Sequence, residues 1–404
     1  MERIVIPKIE ICGVILERLN LFLDDEKNLI LLPFLWAIHI SNTGSVFQWL
    51  KTSSYSKFQT KKSTSSQQHL VNRSISDNTI RNYLGHVFKF LQFINKSNLS
   101  SSSPSVHRTE LLTSTFINNY LNNELPSSLC SINSLNAHQA AINSYLNFLF
   151  ELEIKDICHI SVLRKTKQKM AEVDTRLKKI NYISTFERSQ LMKACGSHRD
   201  KLIIRLGYEI GLRTSELCGL LLRKKNEKPT STRKGLLNLI FELVKHPTQM
   251  SFAYSLEGKY TKRSRTRNIY FSRELLQSMK DYYETERLII EKNSFEVSDA
   301  LLLRFDYEGF GQPIGKAQGT NTFAKLRKQF SNMNETLSYH DLRHTFGTEL
   351  YHQELMDAEG HETRSESAAL ISVSERLGHT DTKTTKAYIR LRLQMVMIED
   401  QSHG

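Results

Sequence analysis

His340-Asp341-Leu342-Arg343-His344-Thr345-Phe346 is the stretch of sequence that says most about the fold. On a helix, side chains three or four residues apart point to the same side, so His340, Arg343 and His344 share one face. The two histidines also have the i, i+4 spacing of the zinc motif H-E-x-x-H. A zinc site is not favoured, because Asp341 is shorter than the usual glutamate and the positive charge of Arg343 repels a metal ion.

Three other patches in the C-terminal half carry residues suited to phosphate chemistry. The first is Gly211-Leu212-Arg213-Thr214-Ser215-Glu216-Leu217, with an arginine beside a predicted helix start. The second is the segment 258–271, which is rich in lysine and arginine and contains no acidic residue. The third is Leu377-Gly378-His379, which is followed nine residues later by Tyr388.

The order of these patches resembles that of the tyrosine recombinase family, the phage integrases, over about residues 184–390. The resemblance implies a mainly α protein with a small antiparallel β-sheet, an α+β fold, in which a helical core-binding domain precedes the catalytic domain. It implies that the catalytic residues are Arg213, Lys262, His340, Arg343, His379 and Tyr388. One departure from the family pattern is a longer stretch between Arg343 and His379. The additional residues, near 356–369, are acidic and polar, which predicts a surface insertion. It is either a subunit contact or an inert loop.

The residue types suit the cleavage of a phosphodiester. The nonbridging oxygens need positive charge as phosphorus becomes five-coordinate, and Arg213 and Arg343 offer two fixed forks of donors. His340 and His379 can donate hydrogen bonds and move a proton near neutral pH. Tyr388 is then the nucleophile, and its ordinary pKa of about 10 means that it needs a base or a strongly cationic pocket. We expect neither a metal nor another cofactor, and no ATP, because a covalent phosphotyrosine conserves the bond energy.

The leaving 5′ oxygen needs an acid, which a lysine at the tip of a β-hairpin in 258–271 can supply. The resemblance implies the pattern Gly-Lys-x-x-Lys-x-Arg before an apolar strand. Counting forward from Gly258 in this pattern selects Lys259, whereas counting backward from Arg267 selects Lys262. We prefer Lys262, because a strand fixes the register better than a loop. The other cations of this hairpin and of the segment 164–181 are interpreted as DNA-binding residues, with plain solvated charges as the alternative; they are Lys259, Arg263, Arg265, Arg267, Lys165, Lys167 and Lys169.

Two residues within the motifs have roles that the sequence leaves open. Glu216 either orients an active-site helix or makes a structural salt bridge. His344 is expected to support the site or the core rather than to take part in catalysis. Tyr282, Tyr283 and Tyr351 are expected in the core, because none of them follows a Gly-His pair at the spacing of Tyr388.

The composition indicates a globular chain with a polyanionic partner. The 404 residues suffice for two or three domains, and 39% hydrophobic with 24% charged residues argue against a disordered or membrane-embedded chain. The formal net charge of +13 favours nucleic acid, with a solvated basic surface as the alternative. Five scattered cysteines without a C-x-x-C pair favour a reducing cytoplasm over zinc knuckles or disulfides. We expect no membrane helix and no secretion signal.

The pattern along the chain predicts two domains joined by a basic linker. Residues 1–28 form a segment of open role, 29–163 a helical core-binding domain, 164–181 the linker, and 182–404 the catalytic domain with its C-terminal tail. Residues 29–50 look helical, and 52–68 look like a polar loop. A capping box at Ser184 and Glu187 predicts a helix start. Residues 236–244 look β-rich, and 252–256 with 267–271 predict a hairpin.

We therefore expect a site-specific DNA recombinase that cuts and rejoins DNA through Tyr388, for the integration or excision of a mobile element. The resemblance implies double-stranded DNA as the partner, a homo-tetramer on DNA that passes through a Holliday junction, and accessory DNA-bending proteins. One alternative is a topoisomerase IB-like enzyme that reseals the same strand. The other is a DNA-binding regulator of the same fold without catalysis. The tail after Tyr388 packs either on its own domain or on a neighbouring subunit.

Overall fold

The computed structural model describes most of the chain, namely residues 1–11, 14–51, 68–97, 105–129, 131–177, 181–225, 234–294, 298–357, 361–378 and 387–402. The chain divides into two compact units, an N-terminal unit (Met1–Lys179) and a C-terminal unit (Ile180–Gly404). Each unit has its own hydrophobic core. Among the helices in the described ranges, none combines the length and the apolar character that a membrane-spanning segment needs.

Two β-hairpins belong to the N-terminal unit. Strands β1 (Glu2–Ile11) and β2 (Val14–Leu23) pair antiparallel, so the N-terminal segment of open role is a hairpin, and Phe22 anchors it in the core. Strands β3 (Ser45–Lys51) and β4 (Gln68–Ser74) form the second hairpin. The helical interpretation of 29–50 is therefore correct only as far as helix α1 (Leu31–Thr43), which ends at Gly44 in a left-handed conformation. The loop expected at 52–68 falls almost entirely outside the described residues.

The remaining N-terminal unit is helical. Helix α2 (Asp77–Ser97) buries Leu84, Val87, Leu91 and Ile94 at steps of three and four residues, which is the pattern of a helix with one apolar face. It packs against α5 (Ile132–Glu151). Between them lie α3 (Ser114–Asn119) and α4 (Leu125–Ser128), joined by a π-helical turn (Tyr120–Glu124).

The segment expected to link the domains is helical over α6 (Arg164–Leu177). Met170 of this helix is buried in the core of the N-terminal unit, and this apolar anchor holds the first part of the segment on that unit. Lys165, Lys167 and Lys169 lie on its exposed surface. The basic segment is thus a docked helix for most of its length rather than an extended strap.

The C-terminal unit is mainly helical around one hairpin. Its first helix, α7, has the predicted capping box, in which Ser184 and Glu187 bond reciprocally. Strands β5 (Ser251–Leu256) and β6 (Arg267–Ser272) form the predicted hairpin. A π-helical turn (Tyr283–Arg287) joins α11 to α12. The helices are α7 (Thr185–Ala194), α8 (His198–Glu209), α9 (Thr214–Leu217), α10 (Leu236–Lys245), α11 (Arg273–Tyr282), α12 (Leu288–Lys292), α13 (Gln318–Arg327), α14 (Tyr339–Leu355), α15 (Glu366–Leu377) and α16 (Ala387–Ser402).

The β-rich interpretation of 236–244 is wrong, because this stretch is helix α10. Its buried residues are Leu236, Leu239, Ile240 and Leu243, whose spacing is that of one helix face. The individual β-propensities of the residues are outweighed by the burial of this face. The prediction of a mainly α protein with a small antiparallel sheet is confirmed, and the described part of the chain contains three two-stranded sheets instead of one.

The insertion near 356–369 is only partly described. Met356 and Glu362 form an isolated antiparallel bridge, and α15 begins at Glu366. The tail after Tyr388 is α16, which packs against α14 of its own unit through Leu391 and Met395. This is one of the two arrangements that the sequence left open, and packing on a neighbouring subunit stays a prediction.

Candidate active site

Arg213 stands at the tight turn between α8 and α9. Gly211 of this turn has a φ of 69°, and a Cβ there would lie 2.6 Å from the Phe346 ring, so the position requires glycine. The backbone N–H of Arg213 donates to Oε2 of Glu216 at 2.9 Å, and its Nη1 donates to Oε1 at 2.7 Å. The first turn of α9 therefore fixes both the backbone and the guanidinium of Arg213.

Glu216 is a fully buried carboxylate shared by three guanidiniums. Besides Arg213, Nη2 of Arg267 lies 2.8 Å from Oε2 and Nη1 of Arg343 lies 3.7 Å from the same oxygen. Burial would raise the pKa of Glu216, but the charges of Arg267, Arg343 and Arg213 outweigh it and hold the pKa below its ordinary value. Three cations share one anion, so the cluster keeps a net positive charge.

Arg343 connects the Arg213 turn to the end of α15. Only 1% of its surface is exposed, and its guanidinium donates to the carbonyl of Gly211 and, at 2.6 Å, to that of Leu377. Burial, followed by the charge of Arg213, lowers the pKa of Arg343 to about 9, which leaves it protonated at neutral pH. The two arginines predicted for the site thus lie together around Glu216.

His340 and His344 lie side by side on α14, with ring centroids 4.5 Å apart. His340 is the outer, exposed ring, whereas His344 is buried and its centroid is 5.9 Å from that of Tyr388. Partial burial, followed by His344 and Arg343, lowers the pKa of His340. Burial, followed by Arg343, lowers the pKa of His344 to about 4. Both rings are therefore neutral at pH 7, and His340 can accept a proton.

Tyr388 lies on α16 and is fully buried against α14. Its ring fills the space beside Gly347, where a Cβ would lie 2.6 Å from Cζ of the tyrosine. Burial raises the pKa of Tyr388 to about 12, while the charges of Arg343 and Arg213 act in the opposite direction. The phenol is thus within the field of both guanidiniums, and it is protonated in this state.

The hairpin loop between β5 and β6 folds into two short 3-10 turns, Gly258–Tyr260 and Lys262–Ser264. The hydroxyl of Thr261 lies 2.9 Å from the carbonyl oxygen of Gly258 and 2.6 Å from that of Arg265, which closes the loop on itself. Tyr260 packs on Gly219, since a Cβ there would come within 2.8 Å of its ring. The loop is thereby held beside the end of α9.

The two lysines considered for the general acid have different surroundings. Nζ of Lys259 lies 3.0 Å from Oε2 of Glu257 and 5.0 Å from the centroid of the Tyr260 ring. The hydrogen bond that Lys259 donates to Glu257 raises the pKa of Lys259. Lys262 is exposed and makes no ion pair with any residue that the structure describes.

The other predicted site residues fall into three groups. Lys165, Lys167, Lys169 and Arg265 are exposed, with no ion pair among the described parts of the chain. His379 and the side chain of Arg263 lie outside the described residues. Arg267 was expected on the surface of the hairpin with Arg265, and its placement is different.

Arg267 points into the protein. Its guanidinium donates to Glu216 and to the carbonyl of Arg376, and 11% of the side chain is exposed. Side chains alternate along a strand, so Arg267 lies on the same face as Ile269 and Phe271, both of which are buried. The sequence contains this alternation, which predicts an inward-pointing Arg267. The interpretation of the segment as a basic surface hairpin rested on its many basic residues instead. Arg267 therefore belongs to the buried cation cluster.

Metal-ligating side chains are not gathered in the described ranges. No group of three or more His, Cys, Asp or Glu residues there has the arrangement needed to hold a metal ion. The contact between His340 and His344 is an edge-on contact of two rings.

The chain resembles known recombinases in sequence. The tyrosine recombinase XerC of Thermodesulfovibrio yellowstonii is 27% identical over 206 residues, covering 51% of this chain and 54% of that protein. XerC of Mannheimia succiniciproducens is 26% identical over 342 residues, covering 82% of this chain and 92% of that protein. Transposase A of transposon Tn554 from Staphylococcus aureus is 26% identical over 58% of this chain, which spans 55% of the transposase.

The fold also has solved counterparts. The XerH site-specific recombinase in its post-cleavage complex with a palindromic difH substrate matches with a TM-score of 0.51 and 15% identity, covering 80% of this chain and 78% of XerH. The sequence model of the phage integrase family matches residues 181–395, which is more than half of the chain. These residues contain Arg213, Arg343 and Tyr388, so the chain belongs to the phage integrase family, the tyrosine recombinases.

Proposed function

We propose that this protein is a site-specific DNA recombinase whose nucleophile is Tyr388. The phenolic oxygen attacks a backbone phosphorus, the bond from phosphorus to the 5′ oxygen breaks, and a 3′-phosphotyrosyl bond forms. Arg213 and Arg343 bind the nonbridging oxygens and offset the charge that accumulates in the five-coordinate state. The observation that supports this most is the shared position of the two guanidiniums around Glu216, with Tyr388 inside the field of both.

Two proton transfers balance the reaction. We assign His340 to accept the proton of Tyr388, because its ring is neutral at pH 7, is exposed, and lies against His344, whose ring centroid is 5.9 Å from that of Tyr388. His379 is assigned to bind a nonbridging oxygen, on the basis of the motif alone. Lys262 gives a proton to the leaving 5′ oxygen. It makes no ion pair with a described residue, which favours it over Lys259, which Glu257 already binds.

Tyr388 must move before it can react, because it is fully buried in the structure of the free chain. The ring is held by α16 against Gly347, so a displacement of α16 relative to α14 would bring the hydroxyl to a bound phosphate. We infer that DNA binding favours this displacement.

A solved relative supports the proposed partner. The XerH structure contains a recombination-site substrate, and DNA is accordingly proposed as the partner of this chain. A 5′ hydroxyl of a second strand attacks the phosphotyrosine and releases Tyr388, so the reaction consumes no ATP. We propose a homo-tetramer on two DNA sites, with accessory DNA-bending proteins. The similarity to a transposase of Tn554 supports a role in the integration or excision of a mobile element.

The test is covalent trapping on nicked suicide duplexes that tile the DNA flanking the coding sequence. Cleavage close to the nick releases a short fragment, so resealing fails and the protein–DNA adduct accumulates. The wild-type chain should form the adduct in the presence of EDTA, and Tyr388→Phe should not. Tyr351→Phe is the matched control, because Tyr351 is fully buried in the same apolar cluster and belongs to α14.

Two results would reject the assignment. An adduct formed by Tyr388→Phe would mean that another residue is the nucleophile, and a reaction abolished by EDTA would indicate a metal-dependent nuclease. Strand exchange between two plasmid-borne sites separates a recombinase from a topoisomerase IB-like enzyme, which reseals the strand that it cuts. A chain that binds DNA but forms no adduct at any tile would be a regulator.

A further inference from the structure

The hairpin of β1 and β2 has one face turned towards helix α2. The register pairs Arg3 with Phe22 and Val5 with Asn20, and side chains alternate along a strand, so these four residues share a face. Phe22 and Asn20 are buried at the inner end of this face. The next opposed positions along the same face are Pro7 and Arg18, which lie towards the outer end.

The pairing is interrupted at Pro7 and Arg18. The ladder runs from Ile6 and Leu19 directly to Lys8 and Glu17, since proline has no N–H to donate. Arg18 takes a left-handed conformation with a φ of 62°, and Nδ2 of the buried Asn20 donates to its carbonyl at 2.8 Å. A non-glycine residue in this conformation costs free energy, and a buried side chain holds it there. The hairpin thus fixes the backbone conformation of Arg18.

Helix α2 completes a cleft with this face. The cavity has a volume of about 750 Å³ and is lined by Arg3, Pro7, Arg18, Asn20, Asp77 and Arg81 together with apolar groups. Arg3 lies across α2 at Gly85, where a Cβ would be 3.6 Å from its Nη1. Three arginines from three elements, β1, β2 and α2, therefore converge on one space.

The guanidiniums of this cleft have no counter-charge bound to them among the described residues. Those of Arg3, Arg18 and Arg81 make no ion pair or hydrogen bond with any residue in the described ranges, although Asp77 also lines the cleft. Arg3 is half-buried, and burial lowers its pKa. A half-buried guanidinium without an anion is unfavourable. Binding of an anion in the cleft would therefore stabilise it. Guanidiniums fit phosphate oxygens best, because each presents a planar fork of donors.

We propose that Arg3, Arg18 and Arg81 form a phosphate-binding site in the N-terminal unit, separate from the candidate active site. The ligand is a phosphate group, either of a DNA backbone or of a small phosphorylated molecule. The first source rests on the proposed function, because it requires that the chain binds DNA. The second does not.

The test uses the full-length chain and the single variants Arg18→Gln and Arg81→Gln, both at exposed positions. Lys8→Gln is the matched control, because Lys8 is exposed on the opposite face of the same hairpin and loses the same charge. Calorimetry with inorganic pyrophosphate measures binding of the phosphate group alone. Titration of a random-sequence duplex over a range of salt concentrations measures backbone contacts. Thermal unfolding confirms that each variant is folded.

The salt slope is the slope of the logarithm of the duplex-binding constant against the logarithm of the salt concentration. If it falls by about one unit in Arg18→Gln and Arg81→Gln, but not in Lys8→Gln, the site binds a DNA backbone. Pyrophosphate binding weakened by about 10-fold or more in the two variants, with duplex binding unchanged, would assign it to a small phosphorylated ligand. Variants that equal Lys8→Gln in both measurements would overturn the inference. A wild-type chain that binds no duplex at low salt would instead reject the proposed function, and the pyrophosphate measurement would still test the site.

Discussion

Arg267 donates a hydrogen bond to Glu216 at 2.8 Å, although the two residues are 51 positions apart in the chain. The bond ties strand β6 to helix α9, and the second contact of Arg267 reaches the carbonyl of Arg376 at the end of α15. One side chain therefore fixes three elements that adjoin predicted catalytic residues, since α9 follows Arg213, β6 follows Lys262 and α15 precedes His379. The electrostatic balance of the site depends on Glu216, which is the anion of this cluster.

Replacing Glu216 by glutamine should destabilise the C-terminal unit by about 3–5 kcal/mol, because it leaves three guanidiniums close together without their anion. Hydrogen exchange of α8 and α14 amides in the full-length chain measures the effect. Glu354→Gln is the control, since its partner Arg364 is exposed and a surface pair contributes about 1 kcal/mol or less. Equal protection in Glu216→Gln and Glu354→Gln would show that Glu216 is not needed to balance the cluster.

Variants of two arginines of the hairpin should affect the cleavage step and DNA binding separately. Arg267→Gln removes a buried partner of Glu216, so we expect adduct formation to slow by about 10-fold or more while the salt slope of duplex binding stays unchanged. Arg265→Gln removes an exposed charge and should lower that slope by about one unit with a smaller effect on the cleavage step at saturating DNA. Single-turnover cleavage and salt titration measure the two effects. If Arg267→Gln instead lowers the salt slope and Arg265→Gln slows cleavage, Arg267 is part of the DNA-binding surface.

The contrast between Arg267 and α10 shows what the sequence can predict. The motif around His340 and Arg343 is local and lies on one helix, so its spacing predicts a shared face directly. Arg267 looked like one more surface cation, because composition does not show which way a side chain points, whereas its phase with Ile269 and Phe271 does. In α10 the helical spacing of Leu236 and Leu239 was likewise more informative than β-propensity. The convergence of three arginines on Glu216 depends on long-range packing, which no local pattern encodes.

Gly347→Ala should displace Tyr388. The new Cβ would lie 2.6 Å from Cζ of the tyrosine, so the ring or α16 must shift. We expect a loss of about 1–3 kcal/mol in the free energy of unfolding of the C-terminal unit and a changed rate of adduct formation. Gly196→Ala is the control, because nothing lies within 4 Å of a Cβ there and its effect should stay within about 0.5 kcal/mol. Chemical denaturation followed by circular dichroism, with suicide-substrate cleavage, measures both. Identical behaviour of the two variants would mean that Tyr388 is not held against Gly347.

Lys262→Ala should slow cleavage by about 10²–10⁴-fold if this lysine protonates the leaving oxygen. A substrate with sulfur in place of the bridging 5′ oxygen tests this role directly, because a thiolate leaves without being protonated. The variant should cleave the sulfur substrate at nearly the wild-type rate. Lys259→Ala is the control and should lose little, since Glu257 already binds that lysine. Rescue of Lys259→Ala by sulfur, with none of Lys262→Ala, would reverse the assignment.

The stability of the N-terminal unit should fall in mild acid because of His138. This residue is fully buried, its ring centroid is 3.9 Å from that of His86, and neither of its ring nitrogens has a hydrogen-bond partner among the described residues. Burial, followed by His86 and Lys89, lowers its pKa to about 3. Above pH 6.5 the ring is neutral in both the folded and the unfolded chain. Below it the unfolded chain takes up a proton that the folded chain does not, so stability falls by about 1.4 kcal/mol per pH unit until the folded pKa is reached.

His138→Leu removes this titration and places an apolar side chain in the core. Between pH 6.5 and 5 the free energy of unfolding of the wild-type N-terminal unit should therefore fall by about 2 kcal/mol more than that of the variant. Both tryptophans of the chain, Trp36 and Trp49, lie in the N-terminal unit, so urea unfolding followed by tryptophan fluorescence reports on this unit alone. The pKa values of His86 and His39 are also lowered by burial, and some pH dependence will persist in the variant. Parallel curves for the two proteins would mean that folded His138 titrates as freely as it does in the unfolded chain.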